Sequence, residues 1–202
     1  SMVIDQDTLR ATLNWESFNI DAGNSVEFRQ PGIDAVALNR IFQQDPSRIL
    51  GSLTANGQVY LINPNGLVFG DGAVVNTQGL VASTLDISDE VFEEIGLLGA
   101  INEGLPAFEG SGTDELVLVE SGARLESGQD GRILIFAPRV VNEGEIDFKQ
   151  LHDAGVNGDS ILRINKYGEI ELRCKTNWML VGGLIGNFED RLINLTGLDW
   201  AE

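Results

Sequence analysis

At 202 residues, with 24 glycines, 5 prolines and 43% hydrophobic side chains, the chain has the size and composition of one sizeable domain, globular or elongated, or at most two small ones. Its 13 Lys and Arg against 31 Asp and Glu leave a formal charge of −18, which repels nucleic-acid phosphates and anionic membranes and argues against either as a partner. No window reaches the ~20 consecutive apolar residues of a membrane span, and the start Ser1-Met2-Val3-Ile4-Asp5 lacks the basic and apolar regions of a signal peptide.

In chain order, Ser1-Met2 reads as a cloning remnant and residues 3–13 as a shortened amino-terminal capping region. Residues 31–47 hold a predicted turn of helix at Val36-Ala37-Leu38-Asn39-Arg40-Ile41-Phe42, which Asp45-Pro46 ends. From there the signal is nearly all strand, in short runs set apart by Gly, Asn and Asp. Such runs are Val59-Tyr60-Leu61-Ile62, Leu67-Val68-Phe69, Ala73-Val74-Val75, Leu80-Val81-Ala82, Leu116-Val117-Leu118-Val119, Arg132-Ile133-Leu134-Ile135-Phe136, Ile161-Leu162-Arg163-Ile164 and Glu169-Ile170-Glu171-Leu172. Two stretches break the rhythm. Residues 88–96 begin with Ser88 as an N-cap, carry carboxylates in the first turn, place Val91, Phe92 and Ile95 on one face and stop at Gly96, which predicts a short surface helix. Residues 99–115 read as an irregular excursion, and residues 187–202 as a cover for the last coil.

The runs echo one another. Gly57-Gln58-Val59-Tyr60-Leu61-Ile62 with Val75-Asn76-Thr77-Gln78-Gly79-Leu80 recurs in outline as Gly131-Arg132-Ile133-Leu134-Ile135-Phe136 with Val141-Asn142-Glu143-Gly144-Glu145-Ile146. A third echo, Ile164-Asn165-Lys166-Tyr167-Gly168-Glu169-Ile170, keeps the Asn-x-x-Gly step. Short strands repeating at about 20 residues with tight turns predict a β-solenoid, in which each coil buries its apolar face only by stacking on its neighbours. A sandwich would favour longer alternating runs and two-residue hairpins.

Candidates for chemistry are few. One cysteine, Cys174, leaves no internal disulfide and no paired-thiolate zinc site, and reads as a small buried hydrophobe. One histidine, His152, lies in a polar stretch and reads as a solvated loop residue, so a nucleophilic triad has nothing else to run through. Phe69-Gly70-Asp71-Gly72-Ala73 is a lone partial match to a calcium-binding repeat, and Gly110-Ser111-Gly112 and Gly182-Gly183 lack the Lys-Ser/Thr of a phosphate loop. No cofactor is expected.

Asn63-Pro64-Asn65-Gly66 is a strong turn signal: Asn63 accepts backbone hydrogen bonds, Pro64 presets φ, and Asn65-Gly66 tolerates positive φ. Before it stand, in order, Asn14-Trp15-Glu16-Ser17-Phe18-Asn19-Ile20, Val36-Ala37-Leu38-Asn39-Arg40 and Asp45-Pro46-Ser47-Arg48-Ile49-Leu50-Gly51. After it come Gly79-Leu80-Val81-Ala82-Ser83-Thr84, Asp86-Ile87-Ser88-Asp89 and Ala137-Pro138-Arg139-Val140-Val141-Asn142-Glu143-Gly144. Together these motifs resemble the amino-terminal secretion domain of the filamentous haemagglutinin family, densely over residues 14–90 and more loosely to about 150.

The resemblance implies an all-β fold, a right-handed parallel β-helix with a short surface helix and capping segments, forming one secretion domain over 1–202 at the amino-terminal end of a longer exoprotein or adhesin. It implies passage through the periplasm in an unfolded state, an outer-membrane two-partner secretion transporter as partner and folding at the cell surface, while the short strands and the recurring Val-Asn step predict a monomeric rod. The signature turn maps onto Asn63, Pro64, Asn65 and Gly66, and the expected transporter-contact segments carry Asn14, Trp15, Phe18, Asn19, Ile20, Val59, Leu61, Leu67 and Phe69. A second family motif of Asn-Pro-Asn-Leu type has no match, and family members usually carry more chain before the Trp-containing strand. The competing enzyme reading is a β-helix polysaccharide lyase or hydrolase, for which no strand-aligned Asp-x-Asp pair stands out.

Overall fold

The computed structural model describes residues 1–97, 108–109, 115–129 and 131–149, together with the strands 160–164, 169–174 and 177–183. Its strands wind into five stacked coils. Coil one holds β1 (Met2–Asp5) and β2 (Arg10–Trp15) and closes through an isolated parallel bridge of Ile20 to Ile49. Coil two holds β3 (Ser25–Arg29), β4 (Val36–Ile41) and β5 (Ser47–Ile49). Coil three holds β6 (Ser52–Ala55), β7 (Gln58–Ile62) and β8 (Leu67–Phe69). Coil four starts with β9 (Val74–Thr77) and β10 (Gly79–Ser83), then leaves the solenoid through β11 (Asp86–Ile87), a π-helical turn (Val91–Ile95) and β12 (Phe108–Glu109), and returns as β13 (Leu116–Val119). Coil five holds β14 (Arg124–Gln129), β15 (Ile133–Phe136) and β16 (Arg139–Asn142), and β17 (Glu145–Lys149) begins another turn.

Stacking the coils generates three parallel sheets. The first runs β1-β3-β6-β9-β14-β17, the second β2-β4-β7-β10-β15 and the third β5-β8-β13-β16. Alternate side chains of each strand point inward, and parallel register places like above like. Val26, Leu53, Val75, Leu125 and Ile146 form a column on the first sheet. Ala37, Val59, Leu80 and Ile133 form one on the second, and Ile20, Ile49, Phe69 and Val119 one on the third. All belong to a single buried core. Each Val, Leu, Ile or Phe of these columns contributes about 1.5–3 kcal/mol on leaving water, and most of what it leaves water for lies one coil away.

The second sheet is apolar on both faces. Outside, Val36, Leu38, Tyr60, Ile62, Val81 and Phe136 pack under Ile87, Val91, Phe92 and Leu97 of the excursion. This corrects the helical turn expected at residues 36–42: Val36–Ile41 is strand β4 of the second sheet, paired on both sides by β2 and β7. A strand buried on both faces loses its alternation, so its apolar run mimics helical periodicity. The predicted surface helix is present as the turn Val91–Ile95. Ser88 caps it, its Oγ accepting from the Val91 N–H at 3.2 Å and its carbonyl from the Phe92 N–H at 2.9 Å, and Gly96 ends it at φ 78°.

A second correction concerns the third echo. β18 (Ser160–Ile164), β19 (Glu169–Cys174) and β20 (Asn177–Gly183) form an antiparallel sheet in which Ile164 faces Ile170. The strands on either side of residues 165–168 run in opposite directions and pair with each other, not one coil above the other. Residues 3–13 contribute most of β1 and the start of β2 to coil one. The solvated loop expected at His152, the cover expected at 187–202 and all of the 99–115 excursion except 108–109 and Glu115 lie outside the described residues.

Two outcomes test this packing. Leu53→Ala, wholly buried in its column, is expected to lower unfolding free energy by about 2–5 kcal/mol, whereas Val74→Ala on the exposed side of the same sheet shifts it by about 0.5 kcal/mol or less, as read by urea melts. Burial pushes the Tyr60 phenol up to about 12, with Arg132 and Arg10 offsetting only part of the effect. Because the folded pKa lies above the unfolded value of about 10, the stabilisation is complete below pH ~10 and is lost as pH rises toward 12, on the order of 2–3 kcal/mol in all. Denaturant melts across that window should show the loss, and Tyr60→Phe should remove most of it.

Candidate functional site: the Asn63 turn and the stacked amide corners

Asn63-Pro64-Asn65-Gly66 forms the corner between β7 and β8. The Gly66 N–H donates to the Asn63 carbonyl at 3.0 Å, and the Asn65 N–H to Asn63 Oδ1 at 2.9 Å. Gly66 sits at φ 109°, and a Cβ there would come within 2.8 Å of the Leu116 carbonyl, so both conformation and space require glycine.

The rest of the turn reaches into other coils. Asn63 is wholly buried, and its Nδ2 donates to Ser47 Oγ at 3.0 Å and to the Asp45 carbonyl at 3.2 Å. Asn65 is exposed, yet its Nδ2 donates to the Gln43 carbonyl at 2.8 Å. The Ser47 N–H returns a bond to the Gly66 carbonyl at 3.0 Å, and the Asn63 N–H donates to Ser83 of coil four at 3.0 Å. One tetrapeptide therefore ties coil three to coils two and four.

The same corner continues into coil one. Gln43 Oε1 accepts from the Phe18 N–H and from Asn19 Nδ2, each at 3.0 Å, while Asn19 Oδ1 accepts from the Arg48 N–H at 2.8 Å. Trp15 lies edge-on to Phe18 at 5.2 Å and donates its Nε1–H to Asn39 Oδ1 at 2.9 Å. Asn39 points into the core among aliphatic neighbours. It is satisfied there because its Nδ2 also donates to the Ala37 and Tyr60 carbonyls, each at 3.1 Å.

The sequence-predicted residues divide sharply by exposure. Asn14, Asn19, Pro64 and Asn65 are exposed, and Trp15 is half-buried. Phe18, Ile20, Val59, Leu61, Asn63, Leu67 and Phe69 are buried in the folded solenoid. The turn brings Asn63, Asn65 and Gly66 together with Asn19 through Gln43, whereas Asn14 has no place in this network.

Sequence reasoning missed the opposite corner, between the first and second sheets. There Gln30 Nε2 donates to Gln6 Oε1 at 2.9 Å and to the Ala35 and Gln58 carbonyls at 3.2 Å. Gln6 Nε2 reaches the Val36 carbonyl at 3.1 Å. Asn56 exchanges two 2.7 Å bonds with the Gln30 backbone, and Gln78 Nε2 reaches the Gln129 carbonyl at 2.7 Å. Side-chain amides one coil apart, 24 and 26 residues, were the available signal. Gly70-Asp71-Gly72-Ala73 is another corner turn, closed by the Ala73 N–H to the Gly70 carbonyl at 2.9 Å. Among the described residues no three His, Cys, Asp or Glu side chains are grouped to hold a metal ion, and no helix is long and apolar enough to cross a membrane. What these corners offer chemically is a set of paired amide donors and acceptors that fix one coil over the next.

Removing Asn63 strands partners in two places, so Asn63→Ala is expected to cost about 1–3 kcal/mol, and Asn65→Ala, with one bond at an exposed corner, about 0.5–1.5 kcal/mol. Urea melts of the two variants check the order; equal costs would mean that the burial of Asn63 contributes nothing.

Comparison with known proteins agrees with this architecture. The TPS secretion domain family matches residues 1–180. The heme/hemopexin-binding protein of Haemophilus influenzae strain Rd is 37% identical over 155 residues, covering 72% of this chain and 16% of that protein. A second Haemophilus influenzae heme/hemopexin-binding protein is 46% identical over 86 residues, 43% of this chain and 9% of that protein. The chain thus spans a small fraction of the curated relatives it matches. The crystal structure of the HMW1 secretion domain from Haemophilus influenzae superposes with a TM-score of 0.58 at 27% identity, covering 88% of this chain and 44% of that one. With a family match over most of its length and a stacked parallel solenoid behind it, the chain belongs to the TPS secretion domain family and has a secretion-related role.

Proposed function

We propose that this domain is a non-catalytic address: it directs a longer exoprotein to an outer-membrane two-partner secretion transporter, binds the periplasmic part of that transporter while still unfolded, and then nucleates the solenoid at the cell surface. The observation that carries the reading is the family match over residues 1–180. The geometry supports the requirement for an unfolded chain. β7 and β8 are paired on both sides in the folded solenoid, β7 by β4 and β10 and β8 by β5 and β13, so they have no free edge to offer. Val59, Leu61, Leu67 and Phe69 have no exposed surface. Unfolded, the segments 14–20 and 59–69 can add to a sheet edge by main-chain hydrogen bonds, with alternate side chains entering pockets.

Nucleation follows from the same stacking. A coil gains stability only from a neighbour, so the first pair closes slowly and each later coil adds to an existing template. The task in the name of the two Haemophilus relatives is assigned to the greater length of such proteins that this chain does not span. The test is capture on purified transporter periplasmic domains of chain diluted from denaturant and of prefolded chain, with an unrelated acidic protein as control. Preferential capture of the unfolded chain is expected. Equal or stronger capture of the prefolded solenoid would overturn the threading argument, and capture of neither would overturn direct recognition.

A further inference from the structure

The excursion that leaves coil four after β10 does more than fill a gap. Its first part, residues 86–97, lies across the outer face of the second sheet and is held there by two arginines from other coils. Arg40 of coil two donates through Nε to Asp86 at 2.9 Å, through Nη1 to Asp89 at 2.6 Å and through Nη2 to the Ile87 carbonyl at 2.6 Å. Its side chain is only 16% exposed, and although burial works against the charge, the hydrogen bonds to Asp89 and Asp86 hold the guanidinium above its ordinary pKa. Arg10 of coil one donates to the Glu93 carbonyl. Between these ties Phe92 stands edge-on to Tyr60 at 6.2 Å, and Val91, Phe92 and Leu97 are buried against Leu38, Tyr60, Ile62 and Val81.

The surface on which this segment rests does not exist in any one coil. Coil one supplies Arg10, coil two Val36, Leu38 and Arg40, coil three Tyr60 and Ile62, coil four Val81 and coil five Phe136. The ties span 46 to 49 residues from Arg40 and 83 from Arg10. Contacts this distant cost the most loop closure and cannot form before β2, β4, β7 and β10 are in register. A single helical turn has no stability of its own to dock early.

We propose that residues 86–97 are a kinetic latch: they close over the second sheet after the coils have stacked, and they hold the solenoid shut by raising the barrier to unfolding without assisting its formation. The latch matters most at coil one. Among the described residues β1 and β2 are the end strands of their sheets, paired on one side only, and a strand so placed frays unless something restrains it. Arg10 is that restraint, joining coil one to a segment 83 residues later. The inference goes beyond transporter recognition and does not depend on it, because its test needs only the purified chain.

Folding and unfolding rates of the full chain are to be measured against urea for the parent, Arg40→Ala, Arg10→Ala and Phe92→Ala, with Glu94→Gln on the exposed side of the same turn as control. Contacts absent from the folding transition state alter the unfolding rate alone, so the three latch variants should unfold about tenfold faster or more while refolding within about twofold of the parent. Amide exchange should show β2 losing more protection than β15 in Arg10→Ala. Refolding slowed with unfolding unchanged would place the segment in the nucleus and overturn the proposal, as would rates unchanged in all variants. Should Phe92→Ala fail to fold, Arg40→Lys, which keeps the charge but not the three-point grip, carries the same comparison.

Discussion

Almost everything in this molecule depends on like resting upon like at the distance of one coil. Val26, Leu53, Val75, Leu125 and Ile146 come from five separate turns of chain and become one apolar column only when the strands are in register. A slip of one residue in any strand would send its inward set to solvent, so the columns set register as well as stability. The constraint explains why single coils are so short: on the first sheet only the inward positions of each strand join the core, whereas the second sheet also buries its outward positions under the excursion.

Columns of aliphatic side chains leave the corners unsolved. At every bend the backbone leaves its sheet and its polar groups lose their ladder partners. The molecule meets this demand with carboxamides, since one Asn or Gln can both donate and accept. Gln43 links coils one and two in this way while its carbonyl accepts from Asn65 of coil three, whereas Gln30 at the opposite corner reaches Gln6 and Gln58 through its Nε2 alone. Asn39 brings the device into the core, bridging β4, β7 and Trp15 of β2. The Asn63-Pro64-Asn65-Gly66 turn is then the corner that reaches furthest, to coils two and four, and its buried Asn63 is where a hydrogen-bond partner is hardest to replace.

Much of this was legible in the sequence, for physical reasons. Short apolar runs punctuated by Gly, Asn and Asp predict stacked short strands, and Ser88 with Gly96 bounds the helical turn because caps are chosen locally. The Asn63 turn was legible as a turn, but its reach to Gln43, Ser47 and Ser83 was not, because those partners are set by the coil stack and not by neighbours in sequence. The Val36–Ile41 strand resembles a helical turn in sequence because the second sheet is covered on its outside by a segment some 50 residues later, which removes the alternation that marks a strand. Gln6, Gln30 and Asn56 carry no signal of their own, since an isolated carboxamide in a turn resembles surface and only the 24- and 26-residue spacing gives it meaning.

The choice of carboxamides at the corners has a consequence for where such a domain can work. A carboxamide carries no charge at any ordinary acidity, and its bonds at buried corners are barely screened by salt. Had Gln43, Gln30 or Asn63 been carboxylates facing lysines, the spacing of the coils would tighten and loosen with every change of medium. As it stands, the −18 of net charge is carried elsewhere, and the struts that set the pitch of the solenoid are indifferent to the acidity and salinity of whatever fluid surrounds it. That suits a protein built to leave the regulated interior of a cell.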